Sequence, residues 1–243
     1  MNPSRRPAVW YVTAAASIAV GIAPIVVLEH WFGVPRKFTV GFGVITWAVA
    51  VGAKAAIHHL VVDRAVRRGA RHGVASAVLG LLSAGTELGV AAAFFVLVWR
   101  PSTLPQLIGF GAGAGMAEAV MMPFISNPFR GSTLEFHSTE VFSRSEGAGA
   151  IQWLNVLERV WATVLHVCSR ALVYLAVTGG NPLPAAIAVA GFAAVDGMAY
   201  YGHLQKWRFD RLGTLAAVHA CIGGVAVMLA VAFALFAPWF DPA

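Results

Sequence analysis

Long apolar runs that alternate with short polar segments are the dominant pattern along the chain. Each run reaches the roughly 20 residues that a helix needs to cross a bilayer, so the pattern predicts about seven membrane spans. These spans cover about residues 8–28, 39–62, 73–99, 105–127, 150–177, 183–203 and 213–236, and one sizeable polar loop covers 128–149. We therefore predict an all-α fold, a polytopic transmembrane helix bundle that forms a single domain over residues 1–243.

Composition supports a membrane protein over a soluble domain. Hydrophobic residues make up 58% of the chain and charged residues 12%, and the mean hydropathy is +0.72. The net charge of +6 alone would be compatible with nucleic-acid binding. However, the basic residues lie mainly in short loops between apolar spans, where membrane topology explains them better. We expect membrane lipid as a partner and no nucleic acid.

The distribution of basic residues predicts the orientation of the bundle. Eleven of the seventeen lysines and arginines lie at the amino terminus and in the loops after spans two, four and six. By the positive-inside rule, this places the amino terminus in the cytoplasm and the carboxyl terminus outside. Most ionisable residues within spans then lie in the cytoplasmic half or near mid-depth. A polar cavity that opens to the cytoplasm would collect them.

The fifth predicted span carries four ionisable residues, Glu158, Arg159, His166 and Arg170. A charged residue left in hydrocarbon costs at least about 2.5–3.5 kcal/mol on insertion scales, so each of them is a functional-site candidate. At about 100° per residue, Arg159, His166 and Arg170 fall on one stripe, and Glu158 and Ser169 fall on a second stripe roughly a quarter turn away. Both stripes must face protein or water.

Two further glutamates, in the third and fourth spans, each end a pattern of small residues. Both patterns have the spacing i, i+4, i+7, in Gly80, Ala84 and Glu87 and in Gly111, Gly115 and Glu118. Small residues four apart let helix backbones approach closely. We therefore expect each glutamate to face neighbouring helices.

Buried carboxylates that face a basic span are typical of general-base chemistry. A carboxylate can take a proton from water when burial raises its proton affinity and a nearby arginine or histidine steadies the charge. Glu118 and Glu158 with His166 are the candidates for activating water, and Glu87 and Arg159 complete the candidate catalytic set. The supporting candidates are Ser169, Arg170, Asp196, His203 and Lys54.

The same charged groups can also be interpreted as structural ion pairs. Such pairs would join Glu158 or Glu118 to Arg159 or Arg170, and Asp196 to Lys54 or His203. Buried ion pairs are poor sources of stability, so the convergence of six or more ionisable groups favours a functional site.

A metal site is a weaker alternative. The sequence has no His-Glu-x-x-His motif, and the adjacent His58 and His59 point about 100° apart, so they cannot chelate from one helix face. A composite site of His166, Glu118 and Glu158 could bind zinc. The expected cofactor is therefore none or one divalent metal such as zinc.

Four ordered segments resemble the motifs of the YhfC family, namely Gly85-Thr-Glu87, residues 111–119, residues 157–169 and Ala194-Val-Asp196. That family is grouped with the CPBP and PrsW intramembrane proteases, which include the CAAX prenyl endoproteases. The resemblance covers roughly residues 80–200. It implies a multi-pass protein of a bacterial or archaeal cytoplasmic membrane. It also implies hydrolysis of a membrane-embedded peptide or lipidated substrate, by water that glutamate and histidine or a metal activate.

The resemblance also assigns roles to individual residues. Glu87 matches the glutamate of the first motif, Glu118 the glutamate that ends the glycine-rich motif, Glu158 and Arg159 the Glu-Arg pair, and Asp196 the last aspartate.

The chain departs from the family pattern at several positions. Where the family has a second glutamate and two histidines, this chain has Leu88, Ala114 and Phe192. His166 is the candidate to compensate for the missing histidines. The alternative is a non-catalytic membrane protein of the same fold that binds or transports a small polar ligand or protons.

Overall fold

A computed structural model describes residues 6–34, 36–62, 64, 69–125, 148–209 and 211–240. Throughout these residues the regular secondary structure is helical, without strands. The seven long helices are α1 Arg6–Phe32, α2 Arg36–Ile57, α3 His72–Leu97, α4 Leu104–Ile125, α5 Ala148–Gly179, α6 Leu183–Leu204 and α7 Leu212–Phe236. A π-helical turn, His58–Val62, continues α2, and a 3-10 turn, Ala237–Trp239, follows α7.

The predicted all-α multi-pass bundle is confirmed, because all seven helices are long and apolar enough to cross a membrane. The observed bounds differ from the predicted ones by a few residues, as helix ends usually do. The largest difference is in the second span, which ends as an α-helix at Ile57 and continues to Val62 as a π-helical turn. Apart from the first residues of α5, the predicted polar loop 128–149 lies outside the described residues.

Five helices form a ring in the order α2, α3, α6, α5 and α4, and each packs on the next around the ring. On the outside, α1 packs on α4 and α5, and α7 packs on α5 and α6. Helix α5 contacts α1, α3, α4, α6 and α7, and it is the most deeply buried span. This position follows from its sequence, since a helix with two polar stripes must cover them with neighbours.

The predicted small-residue faces are confirmed as helix contacts. A Cβ atom on Gly80 of α3 would lie 2.2 Å from the carbonyl oxygen of Ala193 on α6. A Cβ atom on Gly111 of α4 would lie 2.5 Å from the Cα atom of Val167 on α5. Only glycine fits at these positions, so the backbones of these helix pairs touch. The glutamate that ends each pattern is thereby placed against the ring.

An aromatic cluster closes one end of the ring, where α3 ends and α4 begins. Phe95, Phe110 and Tyr174 are fully buried there, with ring centroids 4.7 Å apart for Phe95 and Phe110 and 5.2 Å apart for Phe95 and Tyr174. The Tyr174 hydroxyl donates a hydrogen bond to the carbonyl oxygen of Pro101 at 3.0 Å. We call these three residues the aromatic plug, and this end of the bundle the plug end. The opposite end, where α2, α4 and α6 finish, is the loop end.

Candidate functional site

A continuous polar network lies inside the ring and takes at least one residue from each of the five ring helices. Its members are Lys54 on α2, Ser83 and Glu87 on α3, Glu118 on α4, Glu158, Arg159, His166 and Arg170 on α5, and Asp196 on α6. Ionisable groups within a membrane span are expensive unless they face one another, and the ring brings them together from distant parts of the sequence.

Helices α2, α3 and α6 meet at one side of the network. The Lys54 ammonium donates to Asp196 Oδ2 at 2.8 Å and to Glu87 Oε1 at 3.4 Å. The Ser83 hydroxyl also donates to Asp196 Oδ2. Lys54 therefore links the carboxylates of α3 and α6.

The centre of the network is a buried chain from Glu87 to Glu118. Arg170 Nη2 donates to Glu87 Oε2 at 3.1 Å, and Arg170 Nη1 lies 2.5 Å from His166 Nδ1. Because a guanidinium group can only donate, Nδ1 must accept, and the ring proton is left on Nε2. His166 Nε2 lies 2.7 Å from Glu118 Oε2, so it donates there. This geometry assigns a neutral imidazole between an arginine and a carboxylate.

The other side of the network lies on α4 and the first half of α5. Arg159 Nη1 donates to Glu118 Oε1 at 2.5 Å, and Arg159 Nη2 donates to Glu158 Oε1. Glu118 is thus held on one oxygen by a permanent cation and on the other by a histidine. Arg159 bridges the two glutamates that were expected to activate water together.

Burial divides the network into a closed centre and accessible flanks. The side chains of Glu87, His166 and Arg170 are at most 4% exposed, whereas Glu118 is 24% exposed and Asp196 27%. Glu118 lies seven residues before the end of α4, or about 10 Å from the loop end at 1.5 Å per residue. The network lies on the loop-end side of the aromatic plug. Glu118 is therefore the accessible end of the buried chain, and Glu87 is its covered end.

The network carries an imbalance of charge. Its four carboxylates face two arginines and one lysine, and His166 is neutral in the geometry above. With all carboxylates ionised, the network has one net negative charge.

The structure brings together eight of the ten residues that the sequence singled out, and two lie apart. The hydroxyl of Ser169 is buried but makes no hydrogen bond to the described residues. His203 is exposed at the end of α6, where its ring lies 6.4 Å from that of Tyr200. Neither contacts the polar network.

Sequence reasoning missed Ser83, which belongs to the network. Ser83 lies four residues before Glu87, on the same face of α3, so helix periodicity was the signal that could have found it. The pairing of Asp196 with Lys54, and of both Glu118 and Glu158 with Arg159, agrees with one set of the structural ion pairs considered above. These pairs are linked in one network, however, and are not separate.

The arrangement does not fit a metal ion. Within the described ranges, no group of three or more histidine, cysteine, aspartate or glutamate side chains is placed to hold one. In the composite set considered above, Arg159 lies between Glu118 and Glu158, and both nitrogens of His166 are already in hydrogen bonds. A zinc ion would have to displace an arginine.

No protein-family model, curated protein or solved structure matches this chain.

Proposed function

We propose that the protein is an intramembrane hydrolase in which Glu118 activates water for attack on a peptide bond. The observation that supports this most is the position of Glu118. It is a partly exposed carboxylate at membrane depth, and it contacts both Arg159 and His166. A base, a cation and a histidine within hydrogen-bond reach of one another are the parts that general-base hydrolysis needs.

Glu118 keeps the capacity to bind water. An ionised carboxylate has about four acceptor sites, and Arg159 and His166 occupy one on each oxygen. The remaining sites can accept hydrogen bonds from a water molecule that enters from the loop end. His166 fixes the rotamer of the carboxylate, and buried Arg170 in turn fixes the ring of His166. Preorganisation of this kind is what a catalytic group requires.

In the proposed step, Glu118 takes a proton from water while the water oxygen bonds to the peptide carbonyl carbon. The carbonyl becomes an oxyanion, which Arg159 can stabilise because its guanidinium already points to the carboxylate. When the C–N bond breaks, protonated Glu118 returns the proton to the leaving amine. Lys54 contacts both Glu87 and Asp196, which holds α2, α3 and α6 together beside the site.

We further propose that the chamber opens to the cytoplasm of a bacterial or archaeal cell. The positive-inside rule predicts the loop end on that side, and the aromatic plug lies at the opposite end. The substrate class would be a membrane-embedded peptide or a lipidated peptide. The resemblance to the YhfC family supports the same role, because Glu118 ends its glycine-rich motif and Glu158 and Arg159 form its Glu-Arg pair.

A second candidate is a non-catalytic protein that binds a small polar ligand or protons. The contact that favours it lies between His166 and Phe192, whose ring centroids are 5.7 Å apart. The family pattern has a histidine where this chain has Phe192. It has a glutamate where this chain has buried Leu88 and a histidine where this chain has buried Ala114. The site has apolar residues in those places.

Cleavage of a fluorogenic transmembrane reporter peptide in proteoliposomes tests the proposal. We expect Glu118→Gln to lower the rate by at least about 100-fold, because a general base contributes about that much or more. Glu29→Gln on α1 is the matched control and should cleave at the wild-type rate. A Glu118→Gln protein that cleaves normally would overturn the assignment. Thermal stabilisation by a polar ligand, without any turnover by the wild type, would favour the second candidate.

A further inference from the structure

A second feature lies at the loop end, away from the polar network. A cavity of about 580 Å³ is present where α6 ends and α7 begins. Basic side chains of the connecting segment line it, namely Lys206, Arg208 and Arg211. Apolar residues of the two helices, Met198 and Val218 among them, line the part nearer the membrane interior. The cavity thus has a cationic part and an apolar part.

We propose that this cavity binds the headgroup of an anionic phospholipid, with the phosphate at the basic residues and an acyl chain along the apolar part. Basic pockets between membrane helices at the interface attract anionic headgroups. Asp210 is the only acidic residue in the sequence from 197 to 237, so the segment keeps a positive charge. The amino-terminal end of α7 adds its helix dipole beside Arg211.

The backbone at Lys206 indicates that its side chain is needed there. Lys206 has φ +53°, in the left-handed region that favours glycine. Its N–H bonds to the carbonyl of His203 at 3.1 Å, and Trp207 N–H bonds to that of Gly202 at 2.9 Å, which ends α6 in a Schellman-like turn. Glycine is the usual residue at this position of such a turn. A lysine accepts backbone strain there, which is explained if its ammonium binds a ligand.

Aromatic residues beside the cavity favour a lipid over a soluble anion. The ring of Trp207 lies 6.0 Å from Tyr201 and 6.2 Å from Phe209, measured between centroids. A Cβ on Gly202 would lie 2.6 Å from Trp207, so the glycine lets this ring pack on α6. Tryptophan and tyrosine concentrate at the level of lipid headgroups. The basic residues are therefore held at the depth where a phospholipid phosphate lies.

Titration of full-length protein in a non-ionic detergent tests the proposal. The probes are dioleoylphosphatidylglycerol, dioleoylphosphatidylcholine and glycerol 3-phosphate, and the readouts are native mass spectrometry and the thermal unfolding midpoint. We expect phosphatidylglycerol to bind at least about fivefold more tightly than phosphatidylcholine. Equal binding of the two lipids would overturn the proposal. Stabilisation by glycerol 3-phosphate as strong as that by the lipid would overturn it as well, since it would indicate a soluble anion.

Lys206→Gly separates lipid binding from folding. We expect this variant to unfold at the same temperature as the wild type or higher without lipid, because glycine relieves the strained φ. We expect it to bind phosphatidylglycerol about fivefold more weakly. Arg211→Gln should show a similar loss, whereas Arg100→Gln, a control at the plug end, should bind as the wild type does. Wild-type affinity in both Lys206→Gly and Arg211→Gln would contradict the assignment.

Discussion

Arg170 shows how single residues determine the site. It is fully buried in a membrane span, yet both of its terminal nitrogens have partners, Glu87 and His166. A buried cation without partners would be far too costly, so these contacts are a condition for the residue to be there. Through His166, Arg170 also orients the carboxylate of Glu118. Arg170 therefore both neutralises a charge in the buried centre and, through His166, positions the partly exposed Glu118.

We expect Arg170→Met to lower the free energy of unfolding by about 3–5 kcal/mol, because it leaves Glu87 as a buried charge with a weaker partner. The double variant Arg170→Met with Glu87→Met should recover most of that loss, since both charges are removed together. Thermal or denaturant unfolding in detergent measures both. A double variant as unstable as Arg170→Met alone, or less stable, would contradict this account of the pair.

Residue types could be predicted at this scale, but their partners could not. The sequence identified Glu118, Arg159 and His166 as site candidates, because ionisable groups within membrane spans must face one another or water. It could not decide whether Arg159 or Arg170 pairs with Glu118, since that depends on how α4 and α5 pack. Arg170 and Glu87, for example, lie 83 residues apart.

Helix α4 shows what decides the architecture at the scale of elements. Its glycines serve two faces: Gly111 packs on α5, and Gly113 packs on α2, where an added Cβ would lie 2.3 Å from the carbonyl oxygen of Val40. Without a hydrophobic driving force between helices in lipid, such close backbone contact is a main source of association. The sequence predicted the first face from its four-residue spacing. It missed the second face, although Gly109 and Gly113 are also four residues apart and both lie against α2.

We expect Gly111→Ala to destabilise the protein by about 1–3 kcal/mol, because a Cβ there would push α4 away from Val167 on α5. The same shift would lengthen the 2.7 Å contact between Glu118 and His166, so reporter cleavage should fall with stability. Gly41→Ala on α2 is the matched control, since nothing lies within 4 Å of its added Cβ. That variant should be neutral or more stable by up to about 1 kcal/mol. Equal losses in the two variants would contradict the account.

At the scale of the whole molecule, the ring of five helices surrounds the polar network, and the aromatic plug closes one end of the ring. Hydropathy predicted the seven spans well, because each is a long apolar run with polar ends. The order of helices around the ring could not be predicted, since it depends on contacts between spans that are distant in sequence. The ring order is what converts scattered charged residues into one network.

Accessibility of residue 118 to a membrane-impermeant methanethiosulfonate reagent tests the chamber most directly. The protein would carry Glu118→Cys with Cys168→Ala and Cys221→Ala, in sealed vesicles of both orientations. Ser102→Cys in the same background reports which side bears the plug end, where Ser102 is exposed. We predict modification of the cysteine at 118 only when the reagent is on the loop-end side. Modification from the plug end, or none from either side, would contradict a chamber that opens at the loop end.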